Sequence, residues 1–324
     1  MFRVVATARS FCNNDGPHHD YLHNNNCEVD LCPPKHPLPS VELKKLIRGY
    51  DGIILGLDEC DSAVINHSDK LRVISRYGAG IDQVDIDAAS TRGIIVTNTP
   101  GTNRIAVAEL TFGLMFALLR NIPKATYNAQ SSIWQRYQGY ELYGKSLGII
   151  GFGFIGREVA KRARCLGMHV LVHSRHCKKA AGVSLVNLDT LLRESDILTL
   201  HTSLTPENRD LIGTEQINQM KDGAYIINTA RGELINEESW YQALKSGKLA
   251  GGAADVFREE PPKNNPLLTL DNFMATLHMG STTKESIARM AMMASENLLA
   301  ILRGQHCDYV VNKEALEVVK KDAC

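Results

Sequence analysis

Leu147-Gly148-Ile149-Ile150-Gly151-Phe152-Gly153-Phe154-Ile155-Gly156 decides the fold of this chain. An apolar run enters a Gly-x-Gly-x-x-Gly turn. The following stretch, Gly156–Cys165, carries Val159, Ala163 and then Leu166 on one face, with Gly167 placed to stop a helix. Strand, glycine turn and helix in that order are the setting in which this fingerprint binds a dinucleotide. Gly151 permits the tight turn. Gly153 removes a side chain where a pyrophosphate must approach, and Gly156 lets helix and strand pack closely. Backbone amides at the helix start, around Phe154 and Ile155, then face the phosphates.

Working outward, short Val/Ile/Leu-rich runs alternate with helical stretches. Before the fingerprint the runs are Phe2–Ala8, Glu28–Leu31, Gly52–Gly56, Arg72–Tyr77 and Ile94–Thr97. The later ones are Leu147–Ile150, Val170–His173, Ile197–His201, Ala224–Asn228, Gly252–Val256 and Phe273–Leu277. They barely alternate in polarity, as parallel strands covered on both faces do. Two such series predict an α/β protein of two doubly wound parallel-sheet domains. Asn236 opens a helix that ends near Gly247. Thr282-Thr283-Lys284-Glu285 reads as a capping box before a long helix, Ser286–Leu302, with Gly304 after it. Spacing alone does not say on which domain that helix packs.

The composition narrows the function. In 324 residues, 36 Lys and Arg balance 36 Asp and Glu, so no bulk field gathers nucleic acid or a membrane surface. The longest apolar stretch, Leu110–Leu119 between Glu109 and Arg120, is too short to span a bilayer and reads as a buried helix. The first 30 residues lack a continuous apolar run, so no signal peptide is expected. Eight cysteines form no Cys-x-x-Cys pair, which points to a reducing, cytoplasmic setting. Cys12, Cys27, Cys32, His18, His19, His23 and His36 crowd one segment, but their spacing matches no closed four-ligand site; no metal is expected there, and the bland reading is a loop and helix between two strands.

The strand after the fingerprint decides the nucleotide. A site for NAD usually ends it with Asp or Glu, which holds the ribose 2′-OH. Here it ends Val170-Leu171-Val172-His173-Ser174-Arg175, followed by His176, Lys178 and Lys179. Ser174 stands at the acidic position, and Arg175 can bind a 2′-phosphate that a carboxylate would repel. The expected cofactor is NADP(H), with NAD(H) as the alternative if the basic run is only a solvated loop.

Three more segments end predicted strands on the same edge of the sheet: Asn228-Thr229-Ala230-Arg231-Gly232, Ala254-Asp255 through Glu260-Pro261-Pro262, and Leu277-His278-Met279-Gly280-Ser281. Carboxyl-terminal strand ends surround one crevice in such sheets, so Arg231, Glu260 and His278 can converge. With these segments, Tyr77-Gly78-Ala79-Gly80-Ile81-Asp82, Asn98-Thr99-Pro100-Gly101, Val107-Ala108-Glu109 and the glycine fingerprint, the sequence resembles the D-isomer-specific 2-hydroxyacid dehydrogenases over nearly its whole length. It is most similar to the phosphoglycerate dehydrogenase and hydroxypyruvate/glyoxylate reductase branches. Ending at Cys324, it is expected to lack the C-terminal regulatory domain that many phosphoglycerate dehydrogenases carry.

The resemblance implies a Rossmann dinucleotide-binding domain, 102–281, inserted into a flavodoxin-like substrate domain, 1–101 and 282–324, with substrate between them and closure excluding water. It implies His278 as general acid, Glu260 orienting its ring, and Arg231 pairing with the carboxylate of a small 2-oxo or D-2-hydroxy acid. It implies further that Thr229 and Asp255 meet the cofactor, Asp255 accepting from the nicotinamide carboxamide, and that the Ala79 and Gly80 amides hold the carboxylate. Arg76 is in the place where some phosphoglycerate dehydrogenases meet substrate phosphate; the alternative is a surface arginine. A homodimer is implied as well, with the helix Arg104–Arg120 and an arm around Ile133-Trp134 packing in it. The rival functional class is a nucleotide-sensing corepressor of the same fold, and formate or phosphite oxidation is a minor alternative within the enzyme class.

Overall fold

Val4, Val5 and Ala6 are wholly buried in succession, as in a strand covered on both faces. They belong to β1 (Phe2–Ala6), which pairs with β2 (Cys27–Leu31) and β3 (Gly52–Leu55); β4 (Val73–Arg76) and β5 (Ile95–Thr97) complete a five-stranded sheet in the order β2-β1-β3-β4-β5. All its ladders are parallel. The order is the flavodoxin-like one, which reverses between β1 and β3. The computed structural model describes residues 1–33, 37–177 and 179–316. Lys178 of the basic run and His36 of the Cys/His segment lie outside them.

The sheet belongs to the first of two compact units, Met1–Asn103 with Thr282–Cys324; the second is Arg104–Ser281. The long C-terminal helix, Lys284–Leu302, belongs to the first unit. Its Met290, Ala291, Ala294 and Leu298 pack with Val4, Ala6, Ile54 and Val73, and Ser75 Oγ donates to the Ala294 carbonyl at 2.8 Å. Its cap departs from the sequence expectation. Thr283, not Thr282, is the N-cap, its hydroxyl accepting from the Ser286 amide at 3.1 Å. Thr283 has the extended backbone that a cap needs, with φ −119° and ψ 153°. The segment after β1 holds a helix, Pro17–Asn24, and then β2; His18 is buried against Phe11, with ring centroids 4.5 Å apart. Among the described residues no three His, Cys, Asp or Glu side chains gather as a metal cluster.

The second unit has seven strands: β6 (Ser146–Ile150), β7 (His169–His173), β8 (Ser184–Leu185), β9 (Ile197–Leu200), β10 (Ala224–Asn228), β11 (Leu249–Ala254) and β12 (Phe273–Ala275). Their order is β12-β11-β10-β9-β6-β7-β8, all parallel. Counted from β6, six of them follow the Rossmann order 3-2-1-4-5-6, with β12 added at one edge. The sheet's faces alternate in use. Ile149 and Ile227 pack toward the helices Arg104–Leu119 and Phe154–Cys165, while Ile150, Leu198 and Leu200 pack toward Leu191, Leu192 and Trp240. The apolar stretch Leu110–Leu119 lies in the first of these helices, where Leu114, Met115 and Leu119 are buried. Among the described residues no single helix is long and apolar enough to cross a membrane.

Candidate active site

The glycine turn connects β6 to the helix Phe154–Cys165. Gly151 has φ 94°, a left-handed conformation that suits glycine, and a Cβ there would run into the His201 carbonyl. A Cβ on Gly156 would meet the Gly151 carbonyl. Gly153 differs. Its φ is −79°, and a Cβ there would meet nothing within 4 Å. Backbone packing therefore accounts for Gly151 and Gly156, and Gly153 borders open space. The helix that follows has no side-chain cap at Gly153. The first amides of a helix have no intrahelical partner, and the open space at Gly153 leaves room for an anion beside them. Phe154 is exposed, and Ile155 packs partly against the core beneath.

At the tip of β7, Ser174 is half-buried and Arg175 exposed. The glycine turn brings a second guanidinium to this region. Arg157 lies over the Phe152 ring, 4.6 Å from its centroid, with Nη2 4.0 Å from Cys177 Sγ. A carboxylate also acts on Arg175 from a place the β7 sequence does not reveal. Glu207, in the short turn after β9, is held below its ordinary pKa first by the Thr205 hydroxyl and also by the Arg175 charge. His201 flanks the glycine turn from β9. Its amide donates to the Ile150 carbonyl at 2.7 Å, and Nε2 lies 3.0 Å from Thr199 Oγ1. Burial pushes its pKa down to about 3, so the ring is neutral near pH 7.

The strand ends on the other side of β6 bring the candidate side chains Arg231, Glu260 and His278 within range of one another. Asn228, last in β10, clamps its own turn: Oδ1 accepts from the Ala230 amide at 3.0 Å, and Nδ2 donates to the Arg231 carbonyl at 2.8 Å. Gly232 follows because a Cβ there would collide with the backbone of Phe257 and Arg258. Glu260 accepts from the Phe257 amide through Oε1 at 3.0 Å and from His278 Nδ1 through Oε2 at 2.7 Å. Burial raises the Glu260 pKa, but the His278 hydrogen bond and charge, the Phe257 amide and the Arg231 charge outweigh it and leave the carboxyl below its usual range. A carboxylate only accepts, so Nδ1 carries the proton and Nε2 is the nitrogen left for a ligand. Arg231, half-buried, donates from Nη1 to the Ala230 carbonyl at 2.7 Å.

Two residues assigned to the cofactor have protein partners. Thr229 is buried, its hydroxyl 3.1 Å from that of Thr111. Asp255, 2% exposed, accepts from the Thr276 hydroxyl at 2.6 Å and from the amides of Met279 and Gly280 at 2.9 and 2.8 Å. Its main-chain oxygen accepts from the His278 amide at 2.8 Å. His278 itself has φ 51°, a left-handed conformation uncommon outside glycine. Thr276 and Gly280 thus join the site. The signal that could have found them is their place, two residues to either side of the candidate general acid.

The first unit carries a loop, 78–80, in which the Gly78 and Ala79 carbonyls are tied back to the protein. Gly78 has φ 137°; its amide donates to Thr99 Oγ1 at 2.9 Å, and its carbonyl accepts from the Thr99 amide at 3.0 Å. Asn98 Nδ2 donates to the Ala79 carbonyl at 2.8 Å. With these carbonyls tied back, the Ala79 and Gly80 amides donate to no protein acceptor among the described residues. Arg76 is not the surface arginine of the bland reading. It is 4% exposed, donates to the Tyr77 carbonyl, and lies where a Cβ on Gly78 would strike its guanidinium.

Both the sequence and the fold have known relatives. The profile of the D-isomer specific 2-hydroxyacid dehydrogenase NAD binding domain matches residues 112–280. A D-3-phosphoglycerate dehydrogenase of Methanocaldococcus jannaschii is 47% identical over 256 residues, covering 77% of this chain and 49% of its own length. The chain thus spans about half the length of that relative. A glyoxylate reductase of Thermococcus litoralis is 39% identical over 304 residues, covering 89% of this chain and 92% of its own. The crystal structure of the TT0316 protein from Thermus thermophilus superposes with a TM-score of 0.88 at 38% identity, covering 95% of this chain and 99% of that one.

Proposed function

Because the chain belongs to the D-isomer-specific 2-hydroxyacid dehydrogenases, we propose that it interconverts a small D-2-hydroxy acid and its 2-oxo acid, such as glyoxylate, hydroxypyruvate or 3-phosphohydroxypyruvate, using NADP(H) in preference to NAD(H). The observation that carries this reading is the 2.7 Å hydrogen bond between His278 and Glu260, with Arg231 electrostatically coupled to the same carboxylate.

The cradle at Gly153 and the helix start at Phe154 fit a pyrophosphate, since Gly153 alone of the three turn glycines borders space that a Cβ would enter without collision. A nicotinamide nucleotide held there supplies the hydride. The protein's own residues manage the charge. As hydride reaches the carbonyl carbon, negative charge grows on the carbonyl oxygen, and the protonated His278 ring donates from Nε2 to that oxygen. Glu260 holds the ring by Nδ1 and sets a negative charge beside it. Arg231 pairs with the substrate carboxylate and fixes the reacting carbon's orientation. In the first unit, we assign Arg76 and the amides of Ala79 and Gly80 to the binding of an anionic group.

The NADP(H) preference rests on Ser174 and Arg175 standing where a ribose-binding carboxylate would repel a 2′-phosphate. We extend the proposal to a cytoplasmic homodimer. Exposed Phe116, Ile122, Tyr127, Ile133 and Trp134 in the second unit support a self-associating face, and light scattering at micromolar concentration tests it. The deciding experiment is a panel of glyoxylate, hydroxypyruvate, 3-phosphohydroxypyruvate and pyruvate with NADPH and with NADH. Turnover of one or more of these acids, abolished in His278→Ala, is expected. Tight nucleotide binding with no oxidation of either cofactor would overturn the enzymatic reading.

A further inference from the structure

Three successive amides, those of His278, Met279 and Gly280, converge on one residue, Asp255. They reach its main-chain oxygen at 2.8 Å, Oδ1 at 2.9 Å and Oδ2 at 2.8 Å. Consecutive N–H groups that point into one concavity, in a turn or where right- and left-handed backbone alternate, form a nest, and nests ordinarily hold a bound anion. Here the Met279 and Gly280 amides hold a carboxylate of the protein itself, and the His278 amide holds the main-chain oxygen of the same residue. The left-handed φ of His278, 51°, is the conformation such a concavity calls for. The Thr276 hydroxyl adds a 2.6 Å hydrogen bond to Oδ1, while the Thr276 amide donates to the Ala254 carbonyl at 2.9 Å. Residues 276–280 therefore wrap around a carboxylate that is 2% exposed. Gly280 lets them close, since a Cβ there would lie 3.0 Å from Oδ2.

We propose that Thr276 is a positioning residue that acts through Asp255: the pair fixes the backbone of the 276–280 loop and so presents the His278 ring to Glu260 and to the substrate. The inference rests on the reading of His278 as proton donor. It gives the Asp255 carboxylate a structural duty toward the acid, beyond the cofactor contact that resemblance alone suggests. Removing the Thr276 hydroxyl leaves Oδ1 with the Met279 amide as its remaining hydrogen bond and loosens the turn on which His278 sits.

The test compares Thr276→Val with Thr276→Ser, and uses Thr276→Ala should the valine variant fail to fold. For 2-oxo acid reduction, kcat of the valine variant should fall about 10-fold. Its KM for the reduced cofactor should stay within about twofold, and serine should restore kcat. A second readout needs no turnover. The His278 Nδ1 proton, hydrogen-bonded to Glu260, gives a downfield imidazole resonance assignable by its absence in His278→Gln. That signal should broaden or vanish in Thr276→Val and persist in Thr276→Ser. Wild-type kcat and an intact resonance in the valine variant would overturn the proposal. So would failure of serine to rescue, or a loss confined to cofactor KM, which would return Asp255 to the nucleotide. Should the wild-type protein reduce no 2-oxo acid, the functional reading falls by itself, and the resonance still decides whether Thr276 holds the ring.

Discussion

Glu260 Oε2 and His278 Nδ1 meet at 2.7 Å although 18 residues separate them, because the segments after β11 and β12 return to the same edge of one parallel sheet. Each group has a second anchor. Glu260 is held by the Phe257 amide and His278 by its own amide on the Asp255 carbonyl. The pair is thus anchored by backbone on both sides, and its contribution is open to measurement.

Replacing Glu260 by Gln keeps a hydrogen-bond acceptor near Nδ1 but removes the negative charge beside it. The Glu260 carboxyl is held below its usual range, so the wild-type protein keeps that charge through the neutral range. Reduction of the 2-oxo acid in Glu260→Gln should fall about 10-fold or more in kcat, with the cofactor KM nearly unchanged. Wild-type kcat in the variant would show that the carboxylate only orients the ring.

Arg231 is expected to act on the substrate and not on the fold. Its backbone is clamped by Asn228, which an alanine at 231 leaves intact. Arg231→Ala should unfold near the wild-type temperature yet lose about 10²- to 10³-fold in kcat/KM for the 2-oxo acid, with cofactor affinity nearly unchanged. Lysine should recover only part of this, because a point charge cannot replace two parallel hydrogen bonds to a carboxylate. Full rescue by lysine would show that charge alone matters there.

The nucleotide preference gives a reversal experiment. Ser174→Asp restores a carboxylate at the end of β7, and Arg175→Ala removes the guanidinium beside it. The double variant should favour NADH, with the ratio of kcat/KM values moving by about 10²-fold or more. Glu207, within electrostatic range of Arg175, refines this expectation. Glu207→Gln frees the guanidinium from a competing anion and should tighten NADPH binding modestly. Unchanged cofactor ratios in the double variant would place the 2′-phosphate contact elsewhere.

Much of this site could be read from the residues alone. The glycine fingerprint declared itself because its spacing is fixed by local backbone needs, now visible at Gly151 and Gly156. That Arg231, Glu260 and His278 can converge followed from one rule about strand ends, and their roles from the family resemblance. What escaped depends on contacts distant in sequence. Nothing in the sequence places the Thr276 hydroxyl on Asp255, 21 residues earlier, or Glu207 near Arg175. Arg76 could be read as a surface residue because charge normally seeks water; only the glycine at 78 leaves room to bury its guanidinium. The strand β8 is two residues long, too short for any pattern to announce. At the last helix the ambiguity was local. Two adjacent threonines both suit a cap, and backbone geometry selects the second.

His201 predicts how stability depends on pH. Its folded pKa is about 3, against an ordinary value of 6.5, so the folded state resists a proton that the unfolded chain accepts. The stability it contributes is complete above about pH 6.5 and declines as the pH falls toward 3. At pH 5 the loss is of order 2 kcal/mol at most. Thermal or urea unfolding should therefore show the protein weakening between pH 7 and 5, and His201→Asn should flatten that slope. A variant whose stability falls as steeply as wild type would assign the acid sensitivity to other groups.

The three turn glycines should separate binding from folding. Alanine at 153 has an accessible φ of −79° and open space around its Cβ, so Gly153→Ala should unfold at nearly the wild-type temperature. Its methyl group stands where the nucleotide's phosphates must approach, so the cofactor KM should rise about 10-fold or more. Gly156→Ala drives a Cβ against the Gly151 carbonyl, and Gly151→Ala adds a left-handed φ to a collision with the His201 carbonyl. Both should lose about 1–3 kcal/mol of stability, the typical cost of overpacking or of a strained backbone. Weaker nucleotide binding in them would follow from damage to the turn. A Gly153→Ala protein that folds and binds NADPH like wild type would move the phosphates away from this turn, and the dinucleotide assignment of the second unit would lose its anchor.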